Sequence, residues 1–338
     1  MNTKNPATGK GVVRTRIAPT PSGFLHLGNI LSFTLTAALA EKTQASTLLR
    51  IDDLDSQRIN RLYVVDIFET LDFLEIPWTE GPTNYQDYQA AYSQLHRLEL
   101  YNEALRQLQE SGYLFACTCS RTDISSRNKK HEVPGANFPE NAGYPGTCLN
   151  KNLPMNTPGC SWRLRTLAGA ANSSDLNIPS SMSGFVVRRK DGVPSYQLAS
   201  LIDDLHFGIN LIVRGEDLRD STLAQLHLAA LLSSETDFGG PMSGAASFTG
   251  ALFYHHPLLR SLRGQKLSKS AGDISVRHLR KEGLKPRQVY TRIAAMLGSK
   301  EDVKDWRTLA AIVLPPDLPP DLLKGLSGGN DPWLPDCY

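Results

Sequence analysis

The first fifty residues of the chain alternate between strand-like and helix-like patterns, and this order limits the folds open to the rest. Residues 11–19, GVVRTRIAP, form a strand pattern, and a turn with two prolines and two glycines leads into a helical pattern from Asn29 to Lys42. The next run, STLLRIDD, is strand-like and ends in two acids. Strand, helix and strand in this order predict a βαβ unit, because parallel strands need a long crossover. We therefore predict an α/β protein built on a parallel sheet.

The α/β pattern continues, is interrupted and then resumes. Helical spacing follows in residues 64–74 and 88–110, whereas the Gly-, Pro- and Asn-rich residues 114–158 sustain neither period. SWRLRT and GFVVRRKDG predict a β pair, and LIVRGEDL predicts another strand. STLAQLHLAALLS, ISVRHLRKEG and PRQVYTRIAAMLG predict helices, the last two stopped by Gly283 and Gly298. We interpret residues 114–158 as part of an inserted module.

Composition excludes several classes of protein. The chain has 338 residues, of which 41% are apolar, so it can fill a sizeable core. It has five cysteines, no charged-then-apolar leader and no apolar run near the ~18 residues of a membrane span. These features favour a cytoplasmic protein over a secreted, disulfide-stabilised or membrane protein. We expect a monomer without a membrane partner.

The turn after the first strand, RIAPTPSGFLHLGN, is suited to phosphate binding. Helix N-termini at the carboxyl ends of parallel strands offer N–H groups and partial positive charge to anions. Gly23 and Gly28 allow close backbone approach, and His26 can donate a hydrogen bond to a phosphate oxygen. A solvent-facing histidine in an ordinary loop is the alternative explanation.

A second segment, KLSKS at residues 266–270, lies in a basic block. Residues 257–292 contain ten Lys or Arg residues against Asp273 and Glu282. Two lysines separated by two small or apolar residues suit a loop that covers a triphosphate, although a plain surface loop has the same composition. An RNA backbone is the partner that such a block favours.

Taken together, HLGN and KLSKS resemble the HIGH and KMSKS signatures of class I aminoacyl-tRNA synthetases. RIAPTPSGFLHLGN, LLRIDDLD, DGVPSYQLASLIDDLHFGINLIVRGEDL and KLSKS are similar, in that order, to the glutamyl branch. The resemblance implies a ligase in which an amino-acid carboxylate attacks ATP, with Mg²⁺ accompanying the ATP, and the acyl-adenylate passes to a hydroxyl group. It implies that the catalytic residues are His26, Lys266 and Lys269. The implied ATP-binding residues are His26, Gly28, Asn29, Lys266, Ser268 and Lys269.

The resemblance also implies a site for L-glutamate. Its residues are Arg16, Ala18, Thr20, Asp52, Tyr196 and Arg214. Arg16 or Arg214 would bind the side-chain carboxylate, and Asp52 would bind the ammonium group. A structural arginine paired with Glu216 or Asp217 is the alternative for Arg214. Aspartate at position 52 replaces the usual glutamate and occurs in the glutaminyl branch, but Arg214 favours glutamate.

The chain is short for the glutamyl branch, since only 68 residues follow Ser270. In this respect it resembles the glutamyl-queuosine tRNA(Asp) synthetases, truncated relatives that attach glutamate to queuosine in the anticodon loop of tRNA(Asp). Ordinary glutamyl enzymes need tRNA to activate glutamate, so activation without tRNA distinguishes the two groups. Two rival interpretations are a truncated glutamyl-tRNA synthetase that charges a tRNA 3′ end and a non-catalytic RNA-binding paralogue.

The resemblance implies an organisation in four parts. Residues 1–112 and 161–272 form the two halves of a Rossmann-like, doubly wound catalytic domain, the second half carrying the KLSKS loop. Residues 113–160 form a zinc-binding insert. Residues 273–338 form a short helical C-terminal region, with no anticodon-binding domain.

A cysteine pattern in the insert supports that resemblance. Cys117, Cys119, Tyr144 and Cys148 repeat the C-x-C and Y-x-x-x-C arrangement that binds zinc in many members of that group. From the residues alone, His131 or Cys160 could be the fourth ligand, and imidazole is the commoner zinc ligand. Buried free cysteines are the alternative explanation. One structural zinc ion would stabilise an insert that is poor in apolar residues.

Overall fold

The computed structural model of the chain describes residues 13–55, 59–130, 143–166, 178–233, 245–259 and 275–315. The described residues divide into two compact units. Unit 1 contains those of Met1–His96, Ile209–Glu216 and Gly250–Tyr338, and unit 2 contains those of Arg97–Gly208 and Asp217–Thr249. The functional boundaries predicted at residues 112, 160 and 272 stay a prediction.

Strands and helices alternate along much of the described chain. The strands are β1 (Arg14–Ile17), β2 (Ser46–Leu49), β3 (Leu114–Cys117), β4 (Ser161–Leu164), β5 (Val186–Arg188), β6 (Leu211–Gly215) and β7 (Leu252–His256). The helices are α1 (Leu27–Thr43), α2 (Arg61–Phe73), α3 (Tyr85–Asp87), α4 (Leu98–Glu110), α5 (Arg121–Lys130), α6 (Tyr196–His206), α7 (Arg219–Ser233), α8 (Ala245–Phe248), α9 (Val276–Lys281), α10 (Pro286–Met296) and α11 (Trp306–Val313). A π-helical turn spans Tyr88–Tyr92, and short 3₁₀ turns span Gln94–Arg97, Ser180–Met182 and Glu216–Leu218.

Unit 1 is built on a four-stranded parallel sheet with the order β2–β1–β6–β7. The strand order reverses at β1, because β2 pairs on one side of it and the much later β6 pairs on the other. In open α/β sheets the crevice at such a reversal, beyond the carboxyl ends of the strands, is where ligands bind. The prediction of a parallel α/β fold is confirmed.

Helix α1 lies at the centre of unit 1 and packs against β1, β2, β6, α10 and α11. Its buried side chains, which include Leu27, Ile30, Leu31, Phe33 and Leu35, lie on several sides of the helix. A helix that is apolar on all sides must be covered on all sides. The first turn of α1 is therefore held by the core and not by a surface loop.

Unit 2 contains a three-stranded antiparallel sheet with the order β3–β4–β5 and a group of packed helices. The β4–β5 pairing confirms the predicted β pair. Arg97, the residue before α4, forms a buried ion pair with Asp203 of α6, in which Arg97 Nε lies 2.7 Å from Asp203 Oδ1. Tyr101 also donates to that carboxylate, at 2.6 Å.

Two segments differ from the sequence-based predictions. Residues 88–110 are not one helix, because Asp53 accepts hydrogen bonds from the Tyr88 hydroxyl, the Ser93 hydroxyl and the Gln94 N–H. These tertiary bonds hold Ser93 and Gln94 outside a continuous α-helix, which begins only at Leu98. Residues 114–158, predicted to be irregular, contain β3 and α5. The proline-rich residues after 315 lie outside the described residues.

None of the helices in the described part of the chain combines the length and the apolarity that crossing a membrane requires.

Candidate active site

Several of the predicted site residues lie on one face of the unit 1 sheet, at the carboxyl ends of its strands. Arg16 is in register with Leu48 of β2, and Arg214 of β6 is in register with His255 of β7. Residues in register on parallel strands, and residues two apart on one strand, point to the same face. We use the name sheet edge for the part of this face at the carboxyl ends of the strands. It contains Arg16, Ala18, Arg50, Asp52, Arg214, Phe253 and His255.

The two predicted arginines lie on the neighbouring strands β1 and β6, where the strand order reverses. Both are buried, with 5% and 3% exposure for Arg16 and Arg214 respectively. Arg16 Nη1 donates to the carbonyl oxygen of Val213 at 3.3 Å, so its guanidinium reaches across from β1 to β6. The guanidinium carbon of Arg214 lies 5.0 Å from the centroid of the Phe253 ring. Two buried cations are thus positioned by neighbouring strands.

Asp52 lies beside β1 and is paired with an arginine that the sequence analysis did not select. Its N–H donates to the Pro19 carbonyl oxygen at 3.0 Å. Arg50 Nε and Nη2 donate to the two Asp52 carboxylate oxygens at 2.7 and 3.1 Å. Both side chains are buried. The charge of Asp52 is therefore balanced within the protein, and its carboxylate orientation is fixed by a two-pronged bond.

The sheet edge contains three buried guanidinium groups. Arg16, Arg50 and Arg214 are buried there with Asp52 as the one carboxylate among the residues that define this face. The neighbouring Asp53 points to the other side, where Tyr88, Ser93 and Gln94 bind it. Guanidinium groups bind carboxylates and phosphates through paired hydrogen bonds, so this face suits an anionic ligand.

His26 caps the N-terminus of α1. Asn29 Oδ1 accepts the His26 N–H at 3.1 Å, and the N–H groups of Asn29 and Ile30 donate to the His26 carbonyl at 3.0 and 3.3 Å. The helix begins two residues before the predicted Asn29 because this side-chain bond closes its first turn. The His26 ring lies over Gly28, where an added Cβ would be 3.1 Å from Cε1. Glycine at this position leaves room for the imidazole.

The chain that follows the KLSKS segment returns to the same turn. Ser275 forms a backbone bridge with His26, and the Val276 N–H donates to the Leu25 carbonyl at 2.8 Å. The predicted residues Lys266, Ser268 and Lys269 lie outside the described residues.

The remaining predicted glutamate-site residues are placed differently. Ala18 is half-buried and Thr20 is exposed in the turn after β1. Tyr196 is the first residue of α6 in unit 2 and is 44% exposed. The structure therefore places Arg16, Ala18, Asp52 and Arg214 on the sheet edge of unit 1, whereas Tyr196 lies in unit 2.

Three predicted metal ligands form a cluster in unit 2. The sulfur atoms of Cys117, Cys119 and Cys148 all lie within 4.8 Å of one another. Cys119 Sγ and Cys148 Sγ are 3.6 Å apart, and Cys117 Sγ donates to the Tyr144 hydroxyl at 3.3 Å. Two thiolates on one tetrahedral zinc ion, each at about 2.3 Å, are about 3.8 Å apart. The four side chains, here called the cysteine cluster, are therefore suited to zinc.

The ionisation of the cluster is uneven. Burial raises the pKa of the Cys119 thiol to about 11, and hydrogen bonding to Cys148 adds to the rise. Burial also opposes ionisation of Cys148, but hydrogen bonds with Tyr144, the Thr118 backbone and the other thiols outweigh it and lower its pKa to about 7. Burial and the neighbouring Cys117 raise the pKa of Tyr144 above its ordinary value. Of Cys119, Tyr144 and Cys148, the last therefore has the lowest pKa and becomes anionic first.

Of the two alternative fourth ligands, Cys160 and His131, only Cys160 lies among the described residues. The Cys160 thiol donates to the Met155 carbonyl at 3.4 Å and is not among the clustered sulfur atoms of the described chain. Tyr144, by contrast, is in contact with Cys117 and accepts the Cys148 N–H at 2.7 Å. His131 lies outside the described residues.

Sequence reasoning missed Arg50, Phe253 and His255. Arg50 carried a signal, since a residue two positions before Asp52 on a strand faces the same side. Phe253 and His255 are in register with Ile212 and Arg214, and that pairing is not encoded in any local pattern. They become candidates only when the parallel register is known.

In the described part of the basic block, several arginines contact other side chains of the protein. They are therefore less available to an RNA backbone than the composition indicates. Arg277 stacks on the ring of Phe24, and Arg280 forms an ion pair with Asp66. Arg287 pairs with Asp302. Lys281, Lys285 and Arg292 are exposed.

Comparison with known proteins shows that the sequence is similar to one enzyme family. Residues 12–308 match the family model described as tRNA synthetases class I (E and Q), catalytic domain. A Glutamyl-Q tRNA(Asp) synthetase of Prochlorococcus marinus (strain MIT 9313) is 34% identical over 291 residues, 83% of this chain and 81% of the relative. A glutamate–tRNA ligase of Burkholderia thailandensis is 31% identical over 304 residues, 86% of this chain and 59% of that enzyme.

A solved structure has the same fold. The chain superimposes on a crystal structure of the glutamate-tRNA synthetase from Elizabethkingia anophelis with a TM-score of 0.64 at 22% sequence identity. The likeness covers 89% of this chain and 65% of that enzyme, just under two thirds of its length. At this identity it concerns the fold alone, a parallel α/β architecture.

Proposed function

The chain belongs to the class I tRNA synthetases (E and Q), a family of ligases, and on that premise we propose that it activates L-glutamate with ATP and transfers it to queuosine in the anticodon loop of tRNA(Asp). The observation that carries the proposal is the sheet edge, where Arg16, Arg214 and Asp52 are buried beside the reversal of strand order. Relatives named Glutamyl-Q tRNA(Asp) synthetase support the choice of acceptor, since the chain covers 81% of one of them.

The charge of the sheet edge suits glutamate. Its two carboxylates need cationic partners, and Arg16 and Arg214 supply buried guanidinium groups. Its ammonium group needs an anion, and Asp52 supplies one, oriented by Arg50. Ala18 and Thr20 are proposed to complete the part of the glutamate site that lies in unit 1, and the assignment of Tyr196 stays a prediction from the resemblance. Glutamine has one carboxylate fewer than glutamate, so a site that contains two arginines would favour glutamate over glutamine.

Activation forms a mixed anhydride. The α-carboxylate oxygen of glutamate attacks the α-phosphorus of ATP, the bond to the bridging oxygen breaks, and pyrophosphate leaves with the negative charge. Such reactions depend mainly on positioning and on charge stabilisation. His26, Gly28 and Asn29 at the N-terminus of α1 would hold the phosphates. Mg²⁺ would accompany the ATP and would neutralise part of its charge.

The second signature would act on the leaving group. Lys266, Ser268 and Lys269 are proposed to bind ATP, with the two lysines stabilising the charge that develops on pyrophosphate. Lys269 is six residues before Ser275 in the sequence, and Ser275 is bridged to His26.

The transfer step uses an RNA hydroxyl as nucleophile. A hydroxyl of queuosine attacks the carbonyl carbon of the adenylate, the acyl–phosphate bond breaks, and AMP leaves as the hydroxyl proton passes to solvent. The exposed Lys281, Lys285 and Arg292 of unit 1 are candidates for contact with the RNA backbone.

The cysteine cluster is proposed to be a structural zinc site. Cys117, Cys119 and Cys148 would bind the ion as thiolates, and Tyr144 would supply the fourth ligand atom. A bound ion would cross-link β3 to the segment around Cys148 and would take no part in the chemistry.

Mapping the labelled nucleotide tests the acceptor. The protein is incubated with ATP, radiolabelled glutamate and bulk tRNA that contains queuosine, and the labelled tRNA is cut and sequenced. Label on the anticodon nucleotide of tRNA(Asp), and none with tRNA from cells that lack queuosine, is the expected result. Label on a 3′-terminal adenosine would instead establish the rival function, charging of a tRNA 3′ end.

A further inference from the structure

Phe24, two residues before His26, lies between two helices of unit 1. Its ring centroid is 4.8 Å from that of Tyr63 in α2, in an edge-to-face arrangement. On the α9 side, the guanidinium carbon of Arg277 is 4.4 Å from the Phe24 centroid. One aromatic ring therefore connects the turn before α1 to both helices, and it does so through two directional contacts.

The two helices that hold Phe24 are themselves joined. Arg280 of α9 donates to the buried Asp66 and, at 3.0 Å, to Glu69 of α2. Asp66 is 2% exposed, so this ion pair is protected from solvent on the acid side. Because α2 and α9 are fixed relative to each other, the Arg277 side chain meets Phe24 at a defined position.

The backbone joins the same elements on the inner side. The Val276 N–H donates to the Leu25 carbonyl at 2.8 Å, and Ser275 forms a bridge with His26. Val276 and Leu25 are 0% and 3% exposed. Arg277, in contrast, is only half-buried. The apolar pair therefore carries the packing, while the Arg277 side chain adds an outer contact that is not needed to fill the core.

From this arrangement we propose that Arg277 is a positioning residue, which by stacking on Phe24 fixes the His26 turn against α9 and thereby strengthens phosphate binding at the N-terminus of α1. His26 follows Phe24 by two residues, so a displacement of the Phe24 ring is passed to the imidazole through two peptide units. The link to phosphate rests on the proposed function, whereas the fixation of the turn does not.

The cation–π contact sets the size of the expected effect. A partly exposed pair of this kind contributes about 1 kcal/mol, which corresponds to about a fivefold change in an equilibrium constant. Lysine keeps the charge but lacks the planar group that stacks on a ring, so it restores only part of the effect.

Amide hydrogen exchange tests the fixation without any substrate. The reporters are the N–H groups of Asn29 and Ile30, which donate to the His26 carbonyl. In Arg277→Ala they should exchange about fivefold faster than in the wild type. His278→Ala changes the adjacent exposed residue of the same helix and should leave both rates unchanged. Equal rates in Arg277→Ala and the wild type would overturn the proposal.

Steady-state ATP–pyrophosphate exchange tests the consequence for phosphate binding. Arg277→Ala should raise KM for ATP about fivefold at an unchanged KM for glutamate, Arg277→Lys should raise it about twofold, and His278→Ala should not change it. A lower kcat in Arg277→Ala, with KM for ATP unchanged, would contradict a positioning role in phosphate binding. If the wild-type protein shows no exchange with any amino acid, the proposed function fails, and amide exchange still decides whether Arg277 fixes the turn.

A double-mutant cycle separates the contact from general destabilisation. Phe24→Leu keeps an apolar side chain and removes the aromatic face. If the two residues act as a pair, the double variant Phe24→Leu/Arg277→Ala should have the amide-exchange rates of the more affected single variant. Additive effects of the two changes would show that Arg277 acts through something other than Phe24 and would overturn the proposal.

Discussion

The sheet edge of unit 1 and the cysteine cluster of unit 2 are both built from a few polar side chains, but they are supported in different ways. The sheet edge is carried by parallel backbone pairing and by α1, which is buried on several sides. In the cysteine cluster, Cys117, Tyr144 and Cys148 form one small buried core with Phe115, and the partly buried residues Cys119, Ile124, Leu149 and Leu153 pack against it. The first site is therefore shaped by the main chain, whereas the second is proposed to depend on the zinc ion that its side chains would bind.

The comparison explains where each site should be sensitive. Side-chain changes at the sheet edge should alter substrate binding and leave the fold intact, because the strands remain paired. Side-chain changes in the cysteine cluster should alter folding, because few apolar residues remain to hold the segment. The following variants test this distinction, from the largest expected effect to the smallest.

Replacing Cys148 by serine should have the largest effect. One of three thiolates is lost, so zinc affinity should fall by at least about 10³-fold, equivalent to about 4 kcal/mol. Metal analysis should give about one zinc ion per wild-type chain and almost none per variant chain. Thermal unfolding followed by near-ultraviolet circular dichroism should begin at a lower temperature. Cys160→Ser is the matched control, and an equal loss of zinc in both variants would contradict the ligand assignment.

Replacing Arg214 by alanine should remove glutamate activation without unfolding the protein. A buried, two-pronged bond to a carboxylate is worth about 3 to 4 kcal/mol, so kcat/KM for glutamate should fall about 10²- to 10³-fold. Lysine should restore little, because it cannot form the planar bond. The exposed Arg106 of unit 2 is the control position, where alanine should have no effect. ATP–pyrophosphate exchange at the wild-type rate in Arg214→Ala would contradict the assignment of Arg214 to the glutamate site.

Replacing Arg50 by lysine should have a smaller and more selective effect. The positive charge beside Asp52 is retained but the second donor is lost, so the carboxylate is less well oriented. We expect about a tenfold rise in KM for glutamate, about 1.4 kcal/mol, with KM for ATP unchanged. Arg14→Lys is the matched control, since its ion pair with Glu80 is partly exposed and should contribute little. Equal effects at both positions would refute the role of Arg50.

Replacing Gly28 by alanine should have the smallest effect of the four. The new Cβ would lie 3.1 Å from His26 Cε1 and 3.2 Å from Nδ1, so the ring must move by a few tenths of an ångström. A shift of this size should raise KM for ATP about three- to fivefold, close to 1 kcal/mol. Ser32→Ala, in the next turn of α1, should leave it unchanged. An unaltered KM for ATP in Gly28→Ala would indicate that the His26 ring does not contribute to phosphate binding.

The two regions also differ in how far the sequence predicts them. The βαβ start, the β4–β5 pair and the helices ended by Gly283 and Gly298 follow from local periodicity and turn residues, and the structure confirms them. The break between Tyr88 and Leu98 does not, because Asp53, far away in the sequence, supplies the competing hydrogen bonds. Local patterns do not contain such tertiary competitors.

The candidate site was predictable to a similar degree. The resemblance selected Arg16, Asp52 and Arg214, and the structure places them on one face of the sheet. It did not identify Arg50, whose place beside Asp52 follows from an ion pair between their side chains. It also did not identify His255, whose place beside Arg214 follows from the strand register. For Tyr196, and for Lys266, Ser268 and Lys269, the assignment stays a prediction.

The most direct test of the central claim is ATP–pyrophosphate exchange with each of the common amino acids, with and without tRNA. If the sheet edge of unit 1 binds glutamate beside the phosphate-binding turn, glutamate alone should support exchange, and it should do so without tRNA. Exchange with glutamine in preference to glutamate would contradict the charge argument for Arg16 and Arg214. Absence of exchange with every amino acid, with tRNA present or absent, would contradict the claim that this site activates an amino acid.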